Sequence, residues 1–284
     1  MPENGEEKKM KKFLVLIVFA VIIIFALSCG NEKKSSGYEL ALITDVGTID
    51  DRSFNQGSWE GLKKYAEEKG ITHKYYQPTE KTTDAYIDSI DLAVAAGAKI
   101  VVTPGFLFEP AIYKAQDIHP EVNFVLLDGS PQDGNYKDFR IEKNVYSVFY
   151  AEEEAGFLAG YGAVKEGYTN LGFMGGMAVP AVVKFGYGFV QGVNYAAKEF
   201  GIKNVKVDYN YLGGFNPSPE IQTKAASWYR NGVQVIFVAG GGAGNSVMAA
   251  AEQNNGYVIG VDVDQSVESP TVITSAMKMI GESV

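Results

Sequence analysis

Three aspartates in this chain each follow a short apolar run. Leu40-Ala41-Leu42-Ile43 leads to Asp45, Phe124 to Leu127 leads to Asp128-Gly129, and Tyr257 to Val261 leads to Asp262. Two further runs end in glycine, one at Gly175-Gly176 and one at Ala239-Gly240-Gly241-Gly242. Ionised carboxylates accept hydrogen bonds and repel anions. A site rimmed by Asp45, Asp128 and Asp262 therefore suits a ligand rich in N–H and O–H donors: a sugar, a nucleoside or an amine. Phosphate esters are disfavoured. Phe54 lies just past the Asp45 loop and Phe185 just past the Gly175-Gly176 loop, and two opposed rings sandwich a planar base better than a hydroxyl-only ligand. Singly, each aspartate has a plain alternative as a turn former or helix cap, and each ring as a core residue. The conjunction carries the functional reading.

Other chemistries find less support. Gly240-Gly241-Gly242-Ala243-Gly244 follows a strand-like run and opens a helix, but Asn245 stands where a dinucleotide fingerprint needs its third glycine. The run also lacks the Gly-Lys-Ser/Thr of a phosphate loop. It reads as a turn that brings backbone close to a ligand. His73 and His119 fall in no triad-like or metal-ligand spacing. Glu152-Glu153-Glu154 reads as a helix N-terminus favoured by the macrodipole. The expectation is a binding protein with no cofactor and no metal, and not an enzyme.

The elements that must position these residues alternate. Helical periodicity over Ser53 to Lys69 and Thr83 to Ala96, the latter with Tyr86, Ile87, Ile90, Leu92 and Ala93 inward, separates the strand-like runs of the first half. A second round starts near Val145: helix Glu152 to Ala163, strand Asn170 to Met174, a long helix Val179 to Phe200 with Pro180 in its first turn, and further strand–helix pairs to Val261. Strands separated by helices imply parallel pairing through right-handed crossovers. The expected class is α/β with two lobes, each a parallel sheet flanked by helices. In such sheets ligands sit at the carboxyl ends of the strands. Val272 to Lys278 reads as a strand entering a helix without a final covering strand, which predicts a C-terminus truncated relative to the natural protein.

The 284 residues are 46% hydrophobic and 21% charged, an ordinary globular composition. The formal net charge of -9 argues against a nucleic-acid partner. Lys8, Lys9, Lys11 and Lys12 precede an apolar run from Phe13 to Leu27, and Ser28 then precedes Cys29, the single cysteine. The run is of signal-peptide length and short for a membrane span. This pattern resembles a bacterial lipoprotein signal, with residues 1–28 removed, Cys29 acylated and 29–37 a flexible tether. The expected location is the outer side of the cell membrane, held by the lipid.

Several stretches, in order and with compatible spacing, match one family. Asp45-Val46-Gly47-Thr48-Ile49-Asp50-Asp51-Arg52-Ser53-Phe54-Asn55-Gln56 resembles its opening signature. Gly175-Gly176-Met177 with Phe185 and Gly188-Phe189, and Val258-Ile259-Gly260-Val261-Asp262-Val263-Asp264-Gln265, resemble later ones. The family is that of the basic membrane proteins, the purine-nucleoside-binding lipoproteins of nucleoside ABC importers. The resemblance implies a type I periplasmic-binding-protein-like fold, with a first lobe from residues 38–145 plus 263–284, incomplete here, and a second lobe from 146–262. It implies that Phe54 and Phe185 stack on a purine, that Asp45 and Asp128 bond the base edge, and that Gly240, Asp262 and Lys278 hold the ribose, with Asn55 on the same wall. The implied partners are a purine nucleoside and an ABC transporter permease. A sugar-binding protein on the same scaffold, a nucleoside-processing α/β enzyme and a surface adhesin or receptor are the alternatives.

Overall fold

The computed structural model describes residues 37–45 and 47–284. The signal, Cys29 and nearly all of the tether lie outside the described residues. Among the described residues ten strands form two five-stranded sheets, and every pairing between these strands is parallel. Among the described residues no helix is long and apolar enough to cross a membrane.

The first sheet has the order β2-β1-β3-β4-β5. Its strands are β1 (Leu40–Ile43), β2 (His73–Tyr76), β3 (Ile100–Pro104), β4 (Asn123–Leu127) and β5 (Val145–Val148). Helices α1 (Phe54–Lys69), α2 (Thr83–Ala95) and α3 (Glu109–Ile118) connect them. Composition follows position. All four residues of the interior strand β1 are buried, whereas the edge strand β2, HKYY, is half exposed. A strand covered on both faces needs an unbroken apolar run. Leu92, expected inward, is 62% exposed, because Tyr86, Ile90 and Ala93 already fill the inner face of α2 at helical spacing.

The second sheet has the order β10-β9-β8-β6-β7. Its strands are β6 (Asn170–Gly175), β7 (Lys206–Tyr211), β8 (Val235–Ala239), β9 (Tyr257–Asp262) and β10 (Val272–Met277). Its helices are α4 (Glu152–Lys165), α5 (Pro180–Glu199), α6 (Pro219–Arg230) and α7 (Ala243–Asn254), and a short α8 (Ile280–Ser283) follows β10.

The lobe limits differ from those expected at both crossings. β5 pairs with β4 as far as Leu127↔Val148, so the first lobe runs past residue 145. β10 pairs with β9, with Ala276 opposite Val261 and Met277 opposite Asp262, so most of 263–284 does not return to the first lobe. The cause is burial: Val272 and Ala276 insert into the apolar clusters of the second lobe. The first lobe regains the chain at α8, where Ile280 packs with Leu40, Leu42 and Leu62.

Helices α4 and α5 cross almost backbone to backbone. Gly156 and Gly160 on α4 face Phe185 and Phe189, and Gly188 and Gly192 on α5 face Glu153 and Phe157. A Cβ at any of the four would overlap a carbonyl oxygen of the other helix. Small residues four apart permit this close approach. The seam fixes the start of α4 against the first turns of α5, where Phe185 sits. Gly188→Ala is expected to force the helices apart and to cost about 1–3 kcal/mol of stability. Urea unfolding checks this, with Gly162→Ala as control, since a Cβ at Gly162 meets nothing.

Candidate functional site

Parallel strands deliver their carboxyl ends to one rim of each sheet, and one cavity of about 310 Å³ lies where the two rims meet. It is lined by all eight residues singled out in the sequence: Asp45, Phe54, Asn55 and Asp128 from the first lobe, and Phe185, Gly240, Asp262 and Lys278 from the second lobe and its end. His73 and His119 are elsewhere. His73 packs on Trp59, and His119 Nε2 lies 2.6 Å from an oxygen of Asp91.

The first-lobe wall is built around a helix start. Asp51 is buried and accepts from the backbone N–H groups of Ser53, Asn55 and Gln56 at 2.9–3.1 Å, so it caps α1 in place of the N-cap residue. Burial pushes its carboxyl above the ordinary aspartate range, and these hydrogen bonds oppose the shift. Asn55 Nδ2 donates to Asp51 Oδ2 at 3.0 Å and to Asp45 Oδ1 at 3.3 Å, while Asp45 Oδ1 also accepts from the Gly47 N–H at 2.8 Å. Phe54, the first residue of α1, is thereby half-buried at the pocket wall.

On the second-lobe side, Phe185 is buried against Phe237, edge to face at 5.8 Å, with its ring also lining the cavity. It is both a core residue and a wall residue. Gly240 follows β8, and Phe215, not singled out in the sequence, lines the cavity beside it. Asp128 follows β4 and Asp262 ends β9, with φ of 54° and 67°. Left-handed backbone is uncommon outside glycine, with aspartate and asparagine the usual exceptions.

The centre of the site is the Lys278 ammonium. The side chain is 3% exposed. It is paired with Asp128 Oδ2, with Glu152 Oε1 at 3.2 Å and with Asp262 Oδ1 at 3.8 Å. The same nitrogen lies 4.8 Å from the centroid of Phe54 and 5.2 Å from those of Tyr150 and Phe185. Cation–π attraction at such distances adds to the ion pairs. Ser53 Oγ donates to Asp262 Oδ2 at 2.5 Å and ties α1 to the end of β9. Burial opposes the charge on Lys278, but Asp128, Asp262 and Glu152 outweigh it and hold the amine above its ordinary value. Burial pushes Asp128 up to about 7, with Lys278 pulling it down and Glu152 raising it further. Asp262 is raised by burial against the pull of Lys278 and Ser53.

Glu152 lies at a helix start, as its sequence implied, but its second role was not foreseen. It opens α4, but unlike the exposed Glu153 it is 2% exposed and belongs to this charge cluster. Burial disfavours its charge, yet Lys278 and further hydrogen bonds outweigh that and lower its pKa. An acidic first turn looks the same in sequence whether it faces water or a buried amine. The cap role of Asp51 was legible in principle, since it stands two residues before Ser53 at a helix start.

Residues 38–284 match the family of ABC transporter substrate-binding proteins described as PnrA-like, the Bmp family. The chain belongs to the Bmp family. Among its relatives is the ABC transporter nucleoside-binding protein BmpA of Lactococcus lactis subsp. cremoris, 31% identical over 275 residues, which cover 89% of this chain and 74% of that one. Basic membrane protein A1 of Borrelia garinii subsp. bavariensis is 32% identical, covering 97% and 79%. A solved ABC transporter solute-binding protein from Aeropyrum pernix K1 superimposes with a TM-score of 0.73 at 26% identity, over 87% of this chain and 68% of that chain. Bmp proteins are extracytoplasmic substrate-binding proteins rather than enzymes, and the two parallel sheets meeting at one cavity are the architecture of that class.

Removing the amine from this Bmp cavity leaves Asp128 and Asp262 without a cation and Glu152 with Lys184 alone. Lys278→Met is expected to cost about 3–5 kcal/mol near pH 7.5. The sign with pH follows from Asp128 and Asp262: Lys278 pulls both down, so without it both are raised further, and the added burden on the variant grows as pH rises from about 4 towards 7 and they would ionise. The loss should therefore shrink near pH 4.5. Urea unfolding at both pH values checks this, and a deficit independent of pH would contradict it.

Proposed function

We propose that the protein captures a purine nucleoside between its lobes and delivers it to an ABC transporter permease, held at the outer membrane face by a lipid on Cys29. One observation carries the choice of ligand. The cavity walls set two aromatic rings among the carboxylates of Asp45, Asp128 and Asp262. Carboxylates accept hydrogen bonds, so a ligand bringing N–H and O–H groups to them gains more than one that presents further acceptors. A purine edge offers such donors, and its faces suit Phe54 and Phe185. Asp262, Lys278 and the open backbone at Gly240 would then take the ribose hydroxyls, with Asp45 and Asn55 completing the base wall. A relative named as nucleoside-binding supports the same choice.

Isothermal titration against inosine, hypoxanthine and ribose tests it. Phe54→Ala should weaken inosine by roughly 5- to 150-fold, the worth of about 1–3 kcal/mol of stacking. Asp262→Ala should weaken inosine and spare hypoxanthine. Tight ribose binding that survives loss of both rings would place the protein with sugar-binding relatives of the fold instead. The anchor has its own test. Fatty-acid labelling in cells should mark the wild type and be absent from Cys29→Ala, and equal labelling of both would refute the lipid attachment.

A further inference from the structure

We propose that Glu152 is a positioning residue for ligand binding, whose carboxylate holds the Lys278 ammonium beside the slot between Phe54 and Phe185. This rests on the nucleoside reading above and assigns a role to a residue that reading does not use.

The geometry is a chain of alternating charge. Glu152 Oε1 lies 3.2 Å from Lys278 Nζ, and Glu152 Oε2 lies 3.2 Å from Lys184 Nζ. Lys278 continues to Asp128 and Asp262. Lys184 also donates to the Tyr150 backbone oxygen at 3.3 Å and reaches Glu153 at 4.0 Å. Each Glu152 oxygen thus has its own cation, one inside the cavity wall and one at the surface. A carboxylate serving the helix dipole alone gains nothing from burial, which costs several kcal/mol per ion unless it is matched. Lys184 directly precedes Phe185, and the glycine seam locks α4 to α5. Glu152 therefore registers the amine against the ring that follows Lys184.

Lys278 has to be held because its other partners are ligand-facing. Asp128 and Asp262 both line the cavity, and a ligand donating to them competes with the ammonium. Glu152, absent from the cavity lining, keeps its grip when those two turn to the ligand. The groups facing Glu152 are Lys278 after β10, Lys184 on α5, Asp128 after β4 and Asp262 at the end of β9, with Glu153 beside it on α4. Four carboxylates, Glu152, Glu153, Asp128 and Asp262, against two ammonium groups leave two negative charges in excess, and a proton on Asp128, whose titration is pushed up to about 7, removes one of them.

The test uses the full chain with Glu152→Gln, which keeps size and one acceptor. Inosine affinity should fall by about 10- to 100-fold, the range for losing a charged hydrogen bond, and by clearly more than hypoxanthine affinity, which is touched only through the altered Asp128. Equal loss for both ligands would mean a general structural role, and no loss would mean none; either overturns the proposal. A ligand-free readout stands beside it. Carboxyl 13C titration of Asp128 should show its midpoint lowered in Glu152→Gln, because a neighbouring anion has gone, and an unmoved midpoint overturns the proposal. Should the wild type ignore inosine, the nucleoside reading fails and the Asp128 titration alone decides the Glu152 assignment. Should Glu152→Gln fail to fold, Lys184→Met removes the outer cation from the surface. It should raise the Glu152 midpoint and weaken inosine in the same direction, and a protein unchanged in both sinks the idea.

Discussion

A buried ammonium is the constraint around which this cavity is organised. An amine out of water is tolerable where opposite charge surrounds it, and Lys278 meets carboxylates from three separate elements: the end of β4, the start of α4 and the end of β9. Each of those elements must arrive at the same point for the amine to remain charged. The two sheets are thereby referenced to one atom. Ser53 Oγ on Asp262 and Gln265 Nε2 on the Arg52 carbonyl, at 2.6 Å, extend the tie between α1 and the end of β9. Arg52 and Glu268 add an ion pair at 2.9 Å, but it is half-exposed and contributes little.

The arrangement also explains why the cavity prefers donors. Its ionisable walls are acidic apart from Lys278, and that cation is already shared among three anions. A phosphate would meet Asp45, Asp128 and Asp262 with no free positive charge opposite them. The aromatic surfaces of Phe54 and Phe185 remain as the apolar part of the wall, and Phe185 owes its orientation to the core beneath it.

Much of this was legible in the residues. Asp45, Asp128 and Asp262 announced themselves because parallel strands set the residues at their carboxyl ends on a rim, and apolar runs such as LALI and VIFVA mark such strands clearly. Periodicity also placed Phe54 and Phe185 near helix starts. The misreadings share one physical origin: they concern contacts distant in sequence. Glu152 read only as a carboxylate serving the helix macrodipole because its partner lies 126 residues away at Lys278. The destination of Val272–Met277 was misjudged because a strand's own sequence does not say which of two similar sheet edges it joins. Leu92 shows the same limit within one helix, since apolar type alone does not decide which residue the inner face has room for.

The left-handed backbone at Asp128 and Asp262 bears on how such a site can change over generations. Most side chains at these two positions would add strain of about 1–2 kcal/mol to the loss of the carboxylate. Asparagine and glycine escape that strain. Each is a single nucleotide away from an aspartate codon, so the least disruptive mutational steps at the rim are also ones that swap an acceptor for an amide or for open space. Either step still takes one carboxylate from Lys278, so a new ligand preference at these two corners is tied to a compensating change at the amine rather than to any reshaping of the strand that leads there.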